Sequence, residues 1–339
     1  MTEFRTDPIT GRSVIVVPSR AARPNEHAGT APPAPAVADC PFCEGNESWT
    51  PAELAAVGPP GRRPNERGWY VRTIPNKFPT VVATAPPTGP PNPGVVFDGR
   101  PGFGYHEVVI ESPTHTPLLP FLPSEQILRV IRMCRDRVRD LSQRPQVGSV
   151  HLFENAGPDS GGSLWHPHSQ LVATPGLSPS LREELEGAER YRQRTGGECA
   201  FEEVCRAEAR DGTRLLFDSG EFVAFAPFAS AYPYEVRLLP AHHAPSFADA
   251  TDRDLEAVCE ALPNLLQALL MVVPGASYNF VVRSPVASAK TYERYHWHLD
   301  LYPRLVRPDG FDLGSGYHVN SVTPEDAATA LRAALGAKR

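Results

Sequence analysis

Gly161-Gly162-Ser163-Leu164-Trp165-His166-Pro167-His168-Ser169-Gln170 decides how this chain is read. Two histidines flank a proline, a glycine-rich turn comes before them, and a glutamine follows two residues later. In an extended segment residues i and i+2 share a face. His166, His168 and Gln170 are therefore expected on one side and Pro167 on the other. Proline has no N–H to donate, so the strand must be an edge strand or begin near the proline. One face then carries two imidazoles and an amide beside the backbone N–H groups of Gly161, Gly162 and Ser163. Imidazole can attack phosphorus, ligate a metal or shuttle a proton. Amide and backbone N–H groups can hold phosphoryl oxygens. The plain alternative is a pair of histidines on a solvated strand. The glycine-rich approach and a cysteine pair upstream favour chemistry.

That pair is Cys40-Pro41-Phe42-Cys43. A C-P-x-C turn can present two thiolates to a tetrahedral zinc, with histidines as the source of the other ligands. A thioredoxin-type redox pair is the competing reading, but it sits between a strand and a helix, and the flanks here are polar and proline-rich. No signal peptide is visible and no apolar run approaches membrane-spanning length, so the expected compartment is the cytoplasm, where C-x-x-C reads as metal-binding or redox.

The chain has 339 residues, 41% apolar and 21% charged, enough for a core in one large or two ordinary domains. Its net charge of -6 argues against a protein built to grip nucleic-acid backbone. Small phosphorylated ligands stay open, because local arginines such as Arg20 and Arg23 can bind them. An ordinary solvated basic loop is the simpler reading of that pair taken alone.

The order of elements repeats. A strand beginning at Trp69, a strand over 105–111, a helix over 124–141 capped by Ser124, and a strand over 150–154 lead to the first H-x-H. A strand over 221–227, another over 234–240, a helix over 252–271 interrupted at Pro263, and a strand over 277–282 lead to His296-Trp297-His298. Strand, helix, strand, loop and H-x-H twice over indicate an internal duplication and an α+β fold. The link between the copies covers about 175–220, with helix signals over 179–194.

These motifs, in this order, resemble the galactose-1-phosphate uridylyltransferase family, a branch of the histidine-triad superfamily. The likeness is greatest to the bacterial subgroup that includes ADP-glucose-phosphorylase-like members. It rests on Asp7-Pro8-Ile9-Thr10-Gly11, 20–24, Cys40-Pro41-Phe42-Cys43, Ile74-Pro75-Asn76-Lys77-Phe78-Pro79, Ser112-Pro113-Thr114-His115, 155–170 and Gly310-Phe311-Asp312-Leu313-Gly314-Ser315-Gly316. The resemblance implies two duplicated histidine-triad-like half-barrels, here 1–178 and 179–339, and a homodimer whose sites draw on both subunits. It implies ping-pong transfer of a nucleoside monophosphate from a nucleotide sugar to a sugar 1-phosphate, through a histidine. A phosphorylase or hydrolase, with phosphate or water as acceptor, is the alternative.

By the same resemblance the nucleophile is His168. Ser163 and Gln170 contact the transferring oxygens, with Gly161 and Gly162 beside them. Asn76, Asn155, Arg20 and Arg23 hold nucleotide and phosphates. A structural zinc takes Cys40, Cys43, His115 and His166. A second metal, seen in some members, would take Glu184, His296 and His298. Arg283 stands where a third imidazole belongs, and a guanidinium has no lone pair to offer a cation. That site is therefore expected to be weak or absent, with Arg283 paired to Glu184 and about one zinc per chain, the count for one four-ligand site. The segment Gly316-Tyr317-His318-Val319-Asn320 is unlike the galactose enzyme's sugar contacts, which leaves the sugar and the nucleobase open.

Overall fold

The computed structural model describes residues 2–22, 40–84, 101–115, 118–286 and 295–337. In chain order these form β1 (Glu3–Thr6), β2 (Ser13–Val16), β3 (Ala55–Val57), β4 (Val71–Pro75), β5 (Tyr105–Ile110), α1 (Ser124–Ser142), β6 (Ser149–Ala156), β7 (His168–Thr174), α2 (Pro179–Thr195) and α3 (Ala200–Asp211). Then come β8 (Leu215–Asp218), β9 (Phe222–Phe225), β10 (Val236–Pro240), α4 (Asp252–Val272), β11 (Tyr278–Arg283), β12 (His298–Pro303), α5 (Gly310–Ser315), β13 (His318–Asn320) and α6 (Pro324–Gly336). The fold is α+β, and the duplication is visible in the sheet.

Ten strands run in the order β3-β4-β5-β7-β6-β11-β12-β10-β9-β8. Read from the middle, each half repeats the other: β6 answers β11, β7 answers β12, and β5, β4 and β3 answer β10, β9 and β8. The two halves meet where β6 pairs antiparallel with β11, Asn155 opposite Asn279 and Phe153 opposite Val281. A separate three-stranded sheet joins β1 and β2 to β13, tying residues from the two ends of the described chain together.

Alternation along the strands sorts the two faces. Leu171 and Ala173 of β7, and Leu299 and Leu301 of β12, point into the main core under α1 and α4. His168 and Gln170, and His298 and Asp300, therefore point to the opposite face. Helix α1 buries Ile127, Val130, Ile131, Cys134, Val138 and Leu141 on one side, each large aliphatic contributing about 1.5–3 kcal/mol relative to exposure. Helix α4 runs unbroken through Pro263. By length and composition alone it could cross a membrane, but Leu255, Leu262, Leu265, Leu266 and Leu269 are spent on this core.

Besides the expected interruption at Pro263, three local expectations are corrected. Ser124 is not the cap of α1: the N-cap is Pro123, without a side-chain hydrogen bond. The link between the copies holds a second helix, α3, whose Phe201 and Cys205 pack with Leu181 and Leu185 of α2 in a smaller cluster. Strand β7 starts only at His168, so His166 precedes the regular strand. It lies between β5 and β6 in the sheet interior, with Pro167 just outside the ladder, where its missing N–H costs nothing.

Candidate active site and metal centres

His166 and His168 serve different groups. The His166 ring, fully buried, donates its Nε2–H to the Ser112 carbonyl at 2.8 Å. That fixes the tautomer and leaves the Nδ1 lone pair 3.5 Å from Cys40 Sγ and 3.7 Å from Cys43 Sγ. His115 Nδ1 lies 3.7 Å from Cys43 Sγ. The four donor atoms fall within 4.8 Å of one another and could hold a metal ion. Burial and the adjoining Cys40 push the Cys43 thiol up to about 11, so two thiolates side by side call for a cation between them. Burial also pulls His166 down to about 4, which keeps it in the neutral form a metal needs.

His168 donates its Nδ1–H to the carbonyl of His166 at 2.8 Å, which leaves Nε2 as the ring's lone-pair nitrogen. Burial lowers its pKa, so the imidazole is neutral near pH 7. Phe42, from the Cys40 turn, sets its ring against His168 at 5.2 Å between centroids. Gln170 follows on the same face, its Oε1 2.9 Å from His106 Nε2 and 3.5 Å from Asn76 Nδ2.

Asn155 accepts from Asn279 Nδ2 at 2.7 Å. Gly161 has a φ of 86°, which favours glycine, and a Cβ on Gly162 would meet the Asn155 carbonyl at 3.0 Å. The turn is thus pressed onto the end of β6, and Ser163 is exposed beside it. Arg20 stands apart, in a short 3-10 helix, 3.2 Å from Asp309. It lines a wide cleft with Arg304, Arg307 and His318. Arg23 lies outside the described residues.

The second H-x-H repeats the geometry of the first. His296 donates Nε2–H to the Pro240 carbonyl at 2.8 Å, and His298 donates Nδ1–H to the His296 carbonyl at 3.0 Å. His296 Nδ1 is buried with no hydrogen-bond partner. It belongs to a group with Cys199, Glu202 and His243 that could hold a metal. The His243 and His296 rings cross at 88° and 5.8 Å, close to the 84° and 5.3 Å of His115 and His166. Cys199-x-x-Glu202 thus stands where the first half has Cys40-x-x-Cys43.

This corrects the expected second metal set. His296 is not grouped with Glu184 and His298; His298 Nε2 instead lies 3.7 Å from Glu184 and 3.6 Å from Asp300. Arginines fill the space around these carboxylates. Arg237 binds Asp300 in two-pronged fashion at 2.7 and 3.1 Å. Arg283 Nε is 3.5 Å from Asp300 and 4.0 Å from Glu184, and its other nitrogens bond Ser180 and Tyr302. Tyr295 donates to Glu184. Burial alone would raise Glu184, but Arg283 and His298 hold it down at about 2. Trp297 points to the core, against Phe222 and Phe247.

The sequence reading missed His106, Asp300 and the Cys199 group. The last had a signal: C-x-x-E in the second copy echoes C-x-x-C in the first. His106 had none beyond lying in an alternating strand.

Residues 1–177 match the galactose-1-phosphate uridyl transferase N-terminal domain family. The chain is 33% identical to ADP-glucose phosphorylase of Arabidopsis thaliana, over 97% of this chain and 92% of that protein. It is 27% identical to galactose-1-phosphate uridylyltransferase of Thermotoga maritima, over 98% of each. The crystal structure of the Arabidopsis ADP-glucose phosphorylase with bound ADP-glucose superposes with a TM-score of 0.83, at 30% identity, covering 98% of this chain and 99% of that one.

Proposed function

The chain belongs to the galactose-1-phosphate uridylyltransferase family and is a nucleotidyltransferase, and from that premise we propose that the nucleotidyl group is carried on His168. In the first half-reaction His168 Nε2 attacks the phosphorus of a nucleotide sugar's nucleoside monophosphate. A P–N bond forms, the P–O bond to the sugar phosphate breaks, and sugar 1-phosphate leaves. In the second, an oxygen of a sugar 1-phosphate attacks the same phosphorus and the P–N bond breaks. The carrying observation is the 2.8 Å bond from His168 Nδ1–H to the His166 carbonyl. It leaves Nε2 free to attack and keeps the ring oriented as its nucleophilic nitrogen gains charge.

Gln170 and Ser163, with the N–H groups of Gly161 and Gly162, would hold the transferring oxygens, where negative charge spreads in the transition state. Asn76, Asn155, Arg20 and Arg23 would hold nucleotide and phosphates. A zinc on Cys40, Cys43, His115 and His166 would supply positioning only: its four ligands leave no open coordination place. Phe42 and the His166 carbonyl connect that centre to the nucleophile. We further propose a division into 1–178 and 179–339, a homodimer, and a cytoplasmic setting.

The test is incubation with UDP-glucose or ADP-glucose in the absence of acceptor. The peptide containing His168 should gain one nucleoside monophosphate through an acid-labile bond. Full turnover by a His168→Ala protein would rule the assignment out.

The similarity to the Arabidopsis ADP-glucose phosphorylase favours a second reading of the same intermediate, in which inorganic phosphate takes the nucleotide and releases a nucleoside diphosphate. Which acceptor discharges isolated nucleotidyl-enzyme, galactose 1-phosphate or phosphate, separates the two.

A further inference from the structure

His106 is assigned no part in the reaction itself, yet it touches two groups that are, Gln170 and Asn76. It lies on β5 with its ring half-buried between the turn after β4 and strand β7. The Thr80 backbone N–H donates to His106 Nδ1 at 3.0 Å. A backbone N–H can only donate, so Nδ1 must be the ring's acceptor nitrogen and Nε2 must carry the proton. Nε2–H then has one good acceptor in reach, Gln170 Oε1 at 2.9 Å. Asn76 Nδ2 is 3.1 Å from the same ring nitrogen. Two donors cannot bond each other, so the Asn76 amide is left with the Gln170 oxygen at 3.5 Å. The Asn76 side chain is itself held, its Oδ1 accepting from the Phe78 N–H at 2.8 Å.

These contacts settle which end of the Gln170 amide faces which way. Its oxygen is turned toward His106 and Asn76, so its NH2 group is presented on the other side. An unheld amide could flip, and the flipped form would show its oxygen to a phosphoryl group and repel it. We infer that His106 is a positioning residue that locks the Gln170 amide with its N–H donors toward the transferring phosphoryl oxygens. The relay runs from the Thr80 N–H through the His106 ring to the Gln170 carbonyl. It rests on the reading of Gln170 as a phosphoryl-oxygen donor.

The experiment is a double-mutant cycle on the rate of nucleotidylation of His168 in single turnovers, with H106A, Q170A and the double variant. Zinc content and Tm are followed alongside. H106A should slow nucleotidylation by about 10–100-fold, the scale for partners that orient a reacting group. It should leave KM for the nucleotide sugar nearly unchanged. H106Q, which can accept from Thr80 and donate to Gln170, should recover most of the rate. In the Q170A background the His106 substitution should cost nothing further. Should H106A fail to fold, H106F fills the same space without a donor and takes its place. A slow Q170A in which the His106 variant costs its full factor again overturns the inference alone. A Q170A protein with full rate overturns the reading of Gln170 and the inference with it.

Discussion

The two H-x-H segments are built alike and surrounded differently. In each, the first histidine gives Nε2–H to a carbonyl at 2.8 Å and turns Nδ1 toward a metal-capable group. In each, the second histidine gives Nδ1–H to the carbonyl of the first. Strand register makes Asp300 the counterpart of Gln170, since Val281 opposes Asp300 as Phe153 opposes Gln170. There the likeness ends. On the His168 face the next residue is Gln170, whose neutral amide meets the His106 imidazole. His298 Nε2 is sealed between two carboxylates. A phosphate approaching His298 would meet negative charge at 4 Å or less, with arginines already committed to the acids. One backbone frame thus carries a neutral amide and imidazole in one half and an ionic plug in the other, depending on a few polar side chains.

The largest expected difference is in the second histidines. His168→Ala should lower kcat by at least about a thousandfold, as removal of a nucleophile does. His298→Gln should keep most of the activity. Equal losses at both positions, in steady-state assays of well-folded proteins, would break the comparison.

Metal content sharpens it next. Cys40→Ser/Cys43→Ser should lose one zinc, lower Tm and slow the reaction together, because the Cys40 turn carries Phe42 onto His168. Cys199→Ser/Glu202→Gln should alter metal content with little effect on rate. During titration with a chelator, any metal on the Cys199 group should leave first: a carboxylate replaces one thiolate, and His243 is more than a third exposed. Elemental analysis that showed metal leaving Cys40 and Cys43 first would reverse this ranking.

Arg283→His should come third. Removing a buried guanidinium from between Glu184 and Asp300 costs about 3–5 kcal/mol, and a divalent cation on the new imidazole, Glu184, His298 and Asp300 would offset it. Added zinc or manganese should therefore raise Tm in the variant and not in the parent. A variant as stable as the parent without metal would show that Arg283 does not hold this cluster.

The smallest effect is in acid. Glu184 is held near 2 against an ordinary value of 4.5. A depressed carboxylate stabilises above its unfolded pKa and loses that contribution as pH falls toward the folded value. Glu184→Gln should flatten the stability profile between about pH 4.5 and 2 and shift Tm less at pH 3 than at pH 7. A Tm shift at pH 3 as large as that at pH 7 would count against it.

Much of this could be read from residues alone. The duplicated order of elements, the gathering of Cys40, Cys43, His115 and His166, and Trp297 in the core all followed from spacing or from the family motifs. The faces of the histidines did not. Alternation places His166 with His168 only if the strand continues through Pro167. A proline cannot donate to the ladder, so regular pairing starts after it, and His166 is free to turn to the cysteines. In the second half the family pattern put His296 with Glu184, whereas the structure starts β12 only at His298 and turns His296 to the Cys199 group. Helix α3 was missed because its stripe, Ala200, Phe201 and Cys205, is short and lies in a stretch dominated by charge. His106 could not have been found, since its role depends on Thr80 and Gln170, which only the folded sheet brings to it.

The seam between β6 and β11 has a consequence for the chain as a pair of fragments. Each half, cut from the other, would bare that strand along its length, leaving the N–H and C=O groups of alternate residues of β6, or of β11, unpaired. Exposed edges of this kind template the addition of another strand. The natural partner for a lone β6 is a second lone β6 running the other way, because the seam already joins two copies of one design in that manner. A fragment ending after residue 178 should therefore associate with itself, or precipitate, in light scattering, whereas one supplied with 179–339 should be captured by it. In this sense the covalent link replaces a dimer contact, and fusion hides a sticky edge that either half alone would expose to its neighbours.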